Sequence, residues 1–359
     1  MAFFSRSRVR RAVPLFAGRL LLEEETVDGW LRAEQGRLVE WGEGKPPDRA
    51  DATGWIVPSP VNAHTHGADT FLRDRPGKPA SVAQLVGPGG WKAQNLANAS
   101  KEDLEAGFRR YANEMAAVGA SGFIDFREGG LEGVRFLRAL ADGLAVPPIV
   151  YGRPVQRDFQ AEEARILLAE ADGIGLSARR DFALAGDVEA WAEACRKAGK
   201  PLALHASEAK REDMEPILDL GPRFLVHCTQ ASKRDLVAMA DAGVAAVVCP
   251  RSSQHYGMKP PLSAMVEAGV RVAVGTDNGM LHDGDLLAEL ALLDSWYPAL
   301  GVEALLRMVT WEARALAGAP RALPPTKGKP LDVVVLPHQP WSPRDRGKPG
   351  FVVPRGTTS

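Results

Sequence analysis

The chain predicts an α/β fold: a (β/α)8 TIM-like barrel with a small β-sandwich domain formed by both chain termini. Three observations predict it. Through the middle of the 359 residues, short apolar runs alternate with amphipathic helical stretches, the pattern of parallel strands joined by helical crossovers. Eight such runs occur, and no glycine-rich dinucleotide fingerprint follows the first, which favours a closed barrel over an open doubly wound sheet. Both ends instead read as short strands around turns.

The expected strands are WIVPSPVNAH (55–64), SGFIDF (121–126), PPIVYG (147–152), DGIGLS (172–177), PLALH (201–205), FLVHC (224–228), VAAVVC (244–249) and VRVAVGTD (270–277). Helices are expected over 100–119, 186–199 and 232–243, and after the last strand over 285–299 and 302–317. Ser100 with Asp103 and Ser232 with Asp235 read as capping boxes with Asp in place of Glu. Gly119, Gly199 and Gly243 fit left-handed helix ends. Strands are also expected within 12–42, with Gly36 at a hairpin tip, and over 331–337 and 350–353. The domain reading is therefore 1–56 and 325–359 for the two parts of the β domain, and 57–324 for the barrel. Residues 67–99 are long, Gly/Pro-rich and carry Trp91, as lids over active sites often are.

Composition excludes several function classes. Hydrophobic residues make up 45% of the chain, charged residues 25%, and the net charge is -1, so no basic excess exists to neutralise nucleic-acid phosphates. Cys195, Cys228 and Cys249 form no CxxC pair, which suits a reducing cytoplasm rather than a disulfide framework. The basic-then-apolar start MAFFSRSRVRRAVPLF is broken by Pro14 and Arg19 and is not expected to be a signal peptide. No apolar run approaches the roughly 18 residues of a membrane span. The expected partner is a small-molecule substrate, and a homodimer stays open.

Four of the seven histidines fall at expected strand ends: His64 and His66 after strand one, His205 after strand five and His227 after strand six. Asp277 ends strand eight. Active sites of such barrels are built at that face. Residues i and i+2 on a strand point the same way, so both imidazoles of the His-x-His pair can reach one ion. Imidazole nitrogen and carboxylate oxygen suit Zn²⁺, and also Fe²⁺ or Mn²⁺. Three histidines, an aspartate and a water make an open catalytic site.

The segments PSPVNAHTHGADTFLR, LALHASE, FLVHC, CPRSS and AVGTDN resemble, in order, the motifs of the amidohydrolase superfamily, particularly its cytosine deaminase and chlorohydrolase branch. The resemblance covers nearly the whole chain. It implies one divalent metal per chain, Zn²⁺ first, held by His64, His66, His205 and Asp277. Binuclear members carry a carboxylated lysine on strand four, where this chain reads DGIGLSARRDF; one metal is therefore expected. The resemblance also implies that Glu208, in HASE, shuttles protons, that His227 polarises the reacting group and that Asp277 doubles as a base.

Substrate contacts are expected from Arg127 and Glu128 after strand two, Arg153 after strand three and Arg73 on the first loop, since a guanidinium binds anionic groups bidentately. His255 follows CPRSSQ, where relatives carry Asn at the position of Ser253, so Gln254 or His255 is expected to replace that contact. The implied reaction is hydrolytic deamination of an amino-substituted nitrogen heterocycle. The alternatives are hydrolysis of a cyclic amide, an imidazolone or another C–N or C–Cl bond, and, from another class, a binding protein that has lost catalysis. The intact set His64, His66, His205, Asp277 and Glu208 argues against the last.

Overall fold

The computed structural model describes residues 13–87, 89–156, 158–320, 322–341 and the backbone of 351–352. The basic N-terminal stretch read above lies largely outside them. Two compact units emerge, one from residues near both termini and one from 59–320.

The first unit starts with β1 (Leu15–Leu21), β2 (Thr26–Glu34), β3 (Arg37–Glu43) and β4 (Ala52–Pro58). Gln35 and Gly36 join β2 to β3 with φ of 51° and 73°, the two-residue primed turn whose twist matches the strands. The second unit follows with β5 (Val61–His66), β6 (Gly122–Arg127), β7 (Pro148–Gly152), β8 (Gly173–Leu176), β9 (Leu202–Ala206), β10 (Phe224–His227), β11 (Ala245–Val248), β12 (Val272–Val274) and β13 (Asp277–Asn278). The chain then returns to the first unit with β14 (Val333–Leu336) and β15 (Phe351–Val352).

In place of the expected sandwich, the described strands of the first unit form one sheet in the order β15-β14-β4-β1-β2-β3. Gly18 and Gly54 let its middle strands close up. A Cβ on Gly18 (φ 142°) would lie 1.9 Å from the Gly54 oxygen, and one on Gly54 (φ 154°) 1.9 Å from the Leu336 oxygen. Phe16, Leu20, Leu31, Ile56, Val57 and Val335 are fully buried, which supplies the apolar burial such a small unit needs.

In the second unit every strand pair is parallel, in the order β12-β11-β10-β9-β8-β7-β6-β5-β13. The two ends of this row, β12 and β13, are pieces of the single eighth strand expected over 270–277. It breaks at Gly275 and Thr276, whose N–H groups donate to Val248 on one side and His64 on the other. A Cβ on Gly275 would meet the His64 backbone at 2.7 Å, so only glycine allows this approach. The sheet is thereby curled as in a TIM-like barrel.

Helices form where the apolar spacing places them, at Lys101–Ala117, Ala185–Ala198, Lys233–Asp241 and Leu286–Trp296. Ser232 and Asp235 complete a reciprocal capping box; Ser100 accepts from the Asp103 amide alone. The helix expected over 302–317 is two, Gly301–Val309 and Trp311–Ala317, broken at Thr310. Inside the curl, Ala63, Phe126, Tyr151, Ala203, Phe224, Val226 and Val247 pack as the core. Below them the buried Arg314 donates to Ser59 O at 3.1 Å and Pro320 O at 2.7 Å. No helix among the described residues is long and apolar enough to cross a membrane.

Candidate metal centre

The C-terminal ends of the strands bring together five groups that are far apart in sequence. His64 and His66 end β5, His205 lies on β9, His227 ends β10 and Asp277 begins β13. The β5–β6 register slips between Asn62 and Thr65, beside His64, and such irregularities re-aim side chains. His64 has its ring 4.9 Å from that of His66 and 5.0 Å from that of His205. One nitrogen from each of the three lies within 4.8 Å of the others. Asp277 Oδ1 faces them, 3.5 Å from His64 Nε2 and 3.7 Å from His66 Nε2.

Hydrogen bonds outside the cluster decide which ring nitrogen faces in. His205 Nδ1 lies 2.9 Å from Leu176 O, and His66 Nδ1 lies 3.2 Å from Phe126 O and 2.9 Å from Glu128 Oε1. A carbonyl can only accept, so both Nδ1 atoms carry the proton and both Nε2 lone pairs point inward. Histidines that hold metals are oriented in this way. His64 is fully buried, and neither of its ring nitrogens has a hydrogen-bond partner. Orphaned buried polar atoms are costly, and a divalent cation among three imidazoles and a carboxylate would satisfy them.

Electrostatics point the same way. Burial pushes His64 down to about 3 and also lowers His66 and His205, the latter further depressed by neighbouring His64. Neutral imidazole is the ligating form. Burial opposes the charge on Asp277, but the contact with His64 and the surrounding imidazoles outweigh it and hold the carboxyl well below the usual carboxylate range. Ser252 Oγ donates to Asp277 Oδ2 at 2.5 Å, leaving Oδ1 to face the histidines.

Glu208 lies beside His227, with Oε1 3.7 Å from Nε2. Burial raises its pKa, and the neighbouring His227 only partly offsets this. Ser207, His227, Cys228 and Asp277 all have positive φ, between 47° and 73°. Each such conformation costs a non-glycine residue about 1–3 kcal/mol. Their concentration at three strand ends around one cluster marks a site held against local strain.

The arginines expected to reach substrate separate. Arg153 stays at the mouth, donating to Ser177 Oγ at 2.6 Å with Nη1 4.0 Å from Glu128 Oε1. Arg127 points away from it: Phe126 faces inward from β6, so the next side chain faces out, and the Arg127 guanidinium lies over the rings of Phe108 and Phe136. Arg73 is taken up by Glu114, at 2.6 and 3.0 Å, and by Gly279 O. His255 is exposed, its ring 5.0 Å from that of Tyr256. Tyr256 turns inward instead, packing against Leu72, Leu85 and Met280 with its hydroxyl buried and lacking a hydrogen-bond partner.

Three contributors were not expected from sequence: Ser252, Lys92 and Asp69. Lys92 Nζ lies 2.8 Å from Glu128 Oε1, 3.0 Å from Asp69 Oδ2 and 2.9 Å from Asn278 Oδ1. Asp69 is fully buried, and burial lifts its carboxyl to about 7. A hydroxyl three residues past the cysteine that follows β11 was the readable hint for Ser252; nothing local announces the other two.

A curled parallel sheet with a histidine–carboxylate cluster at its strand ends is a TIM-like barrel with a group that could hold a metal ion. The profile of the amidohydrolase family matches residues 55–336. Over 338 residues the chain is 30% identical to a putative aminohydrolase of Methanothermobacter thermautotrophicus, covering 85% of this chain and 86% of that one. It is also 30% identical over 298 residues to a 5-methylthioadenosine/S-adenosylhomocysteine deaminase of Halobacterium salinarum, covering 70% and 64%. In three dimensions it is similar to a Xanthomonas campestris adenosine deaminase with bound zinc, with a TM-score of 0.69, 18% identity and coverage of 90% and 84%. The chain belongs to the amidohydrolase family and is a hydrolase acting on carbon–nitrogen bonds other than peptide bonds.

Proposed function

We propose that the chain is a mononuclear metal-dependent aminohydrolase that replaces the amino group of a nitrogen heterocycle by oxygen, releasing ammonia. The observation that carries this reading is the Glu208–His227 pair, 3.7 Å apart, with the His227 ring 5.4 Å from that of His205 in the cluster. A carboxyl group able to carry a proton thus stands beside the cluster that Asp277 also faces, as replacement of an amino group by water requires.

His64, His66, His205 and Asp277 would hold the cation, Zn²⁺ by preference for this donor set, with Fe²⁺ and Mn²⁺ as alternatives. When bound, it would supply Lewis-acid polarisation of a water molecule at neutral pH. Asp277 accepts a proton from the attacking water through Oδ1, the oxygen that Ser252 leaves free. Glu208, whose burial favours the protonated form, delivers a proton to a ring nitrogen next to the reacting carbon. His227 donates a hydrogen bond to the oxygen added there. Glu208 then takes the remaining proton from the added hydroxyl and passes it to the amino group, which leaves as ammonia as the carbonyl forms; the proton held by Asp277 returns to Glu208 and resets both carboxyl groups. The same reading assigns 57–324 to the hydrolase domain and the flanking segments to the β domain.

The test is an ammonia-release screen of Zn²⁺-loaded protein against purine, pyrimidine and triazine amines. Release at a rate that saturates with one of them is expected. Hydrolysis of cyclic amides or imidazolones with no ammonia from any amine would overturn the deaminase reading while keeping the hydrolase.

A further inference from the structure

Residues 79–87 and 89–99 carry the short helices Val82–Val86 and Trp91–Ala97 and reach the site through Lys92. Leu85 is fully buried, in a cluster with Leu72, Met280 and the partly buried Trp91. Such apolar packing is non-directional; outside it the segment meets residues 75 and 78, through Arg75 with Asn95 and Lys78 over Trp91. Among the described residues, every hydrogen bond and ion pair from 79–99 to the strands or to Asp69 is made by one side chain, that of Lys92.

Lys92 is 7% exposed although it is a lysine, and its three acceptors are chosen by position. Asn278 is the residue after Asp277. Asp69 follows β5 and also accepts from the Met280 amide at 2.9 Å. Glu128 is the carboxylate whose Oε1 lies 2.9 Å from His66 Nδ1. The Lys92 ammonium donates to Asn278 Oδ1 and is ion-paired with two carboxylates, so it is engaged with the protein's own groups.

We propose that Lys92 is a positioning residue that couples closure of the 79–99 segment to the orientation of His66. With the segment seated, Lys92 holds Glu128 against His66 and keeps the His66 Nε2 lone pair facing the cluster. With the segment displaced, Glu128 keeps only the more distant Arg127 and Arg153, at 3.9 and 4.0 Å, and His66 Nδ1 is held by Phe126 O without a firmly placed carboxylate beside it. The inference rests on the metal reading proposed above for its second half only; the tether stands on the contacts of Lys92.

The experiment combines amide hydrogen exchange with Zn²⁺ competition against a chelator. Lys92→Met is expected to exchange at least tenfold faster within 91–97, and to bind Zn²⁺ about 10–100-fold more weakly, the usual effect of losing a group that orients a ligand. Glu128→Gln is expected to weaken Zn²⁺ similarly while leaving exchange in 91–97 near wild type, because Asp69 and Asn278 still hold Lys92. If Lys92→Met fails to fold, Lys92→Met/Asp69→Asn removes one buried charge of each sign and carries the same expectations. Unchanged exchange in a folded variant overturns the tether. Faster exchange with unchanged Zn²⁺ affinity overturns the coupling. A wild-type chain that takes up no Zn²⁺ removes the proposed centre, and the coupling with it, while faster exchange in Lys92→Met would still uphold the tether.

Discussion

The two walls of the site are built from different materials. On the side of β5 and β13 the groups are dry: His64, His66 and Asp277 are all buried. From the end of β6 round to β9 the wall is partly wet, with Glu128, Arg153 and Glu208 retaining 23%, 21% and 17% side-chain exposure. The difference teaches a division of labour. The groups proposed as ligands on the dry wall, Asp277 among them, are placed where water cannot screen them, whereas Glu208, the proposed proton donor, and Arg153 at the mouth remain within reach of solvent.

The sharpest way to break this comparison is to change one proton-carrying group on each wall. Glu208→Gln, on the wet wall, is expected to lower turnover by about 10²–10⁴-fold, the usual worth of a general acid–base group, with metal content and melting temperature close to wild type. Asp277→Asn, on the dry wall, is expected to lose comparable rate and also metal, because it combines ligand and base. Steady-state kinetics with elemental analysis of both variants checks the pair. A Glu208→Gln enzyme with near-normal turnover would make HASE no more than a turn after β9.

A smaller effect sharpens where substrate enters. Arg153→Ala is expected to raise KM roughly tenfold on a substrate bearing an anionic or acceptor group, the loss of about one charge-assisted hydrogen bond, with kcat and metal content held. An unchanged KM on the substrate identified by the ammonia screen would move the entrance away from β7.

What could be read in advance follows from range. His64, His66, His205, His227 and Asp277 were legible because each ends an apolar strand, and strand ends of such a sheet converge whatever lies between them. The break in the eighth strand was not legible, because VRVAVGTD is uniformly strand-like and only the close approach of His64 to Gly275 splits it. Lys92 and Asn278 stand 186 residues apart in sequence, and no local pattern pairs them. Ser252 was passed over in favour of Ser253 and His255, because a short helix starting at Pro250 turns successive residues by about 100° rather than alternating them.

Arg127 is the instructive error, and it gives the smallest predicted effect. Strand alternation alone could have caught it: with Phe126 in the core, a side chain one residue on faces the covering helices. There Arg127 Nε donates to Gly133 O at 3.2 Å, and its guanidinium lies 5.6 and 5.8 Å from the ring centres of Phe108 and Phe136. It is 5% exposed, so its contribution is packing, a cation–π contact worth about 0.5–2 kcal/mol and a longer ion-pair contact with Glu128 Oε2 at 3.9 Å. Arg127→Ala is therefore expected to lower stability by about 1–2 kcal/mol, read as a lower denaturant midpoint at unchanged slope, while KM and kcat stay within about twofold of wild type. Arg127→Met, which keeps the stem between the rings, is expected to recover part of that loss. A large rise in KM with unchanged stability would place the guanidinium in the pocket after all, and would require β6 to present consecutive residues to the same side.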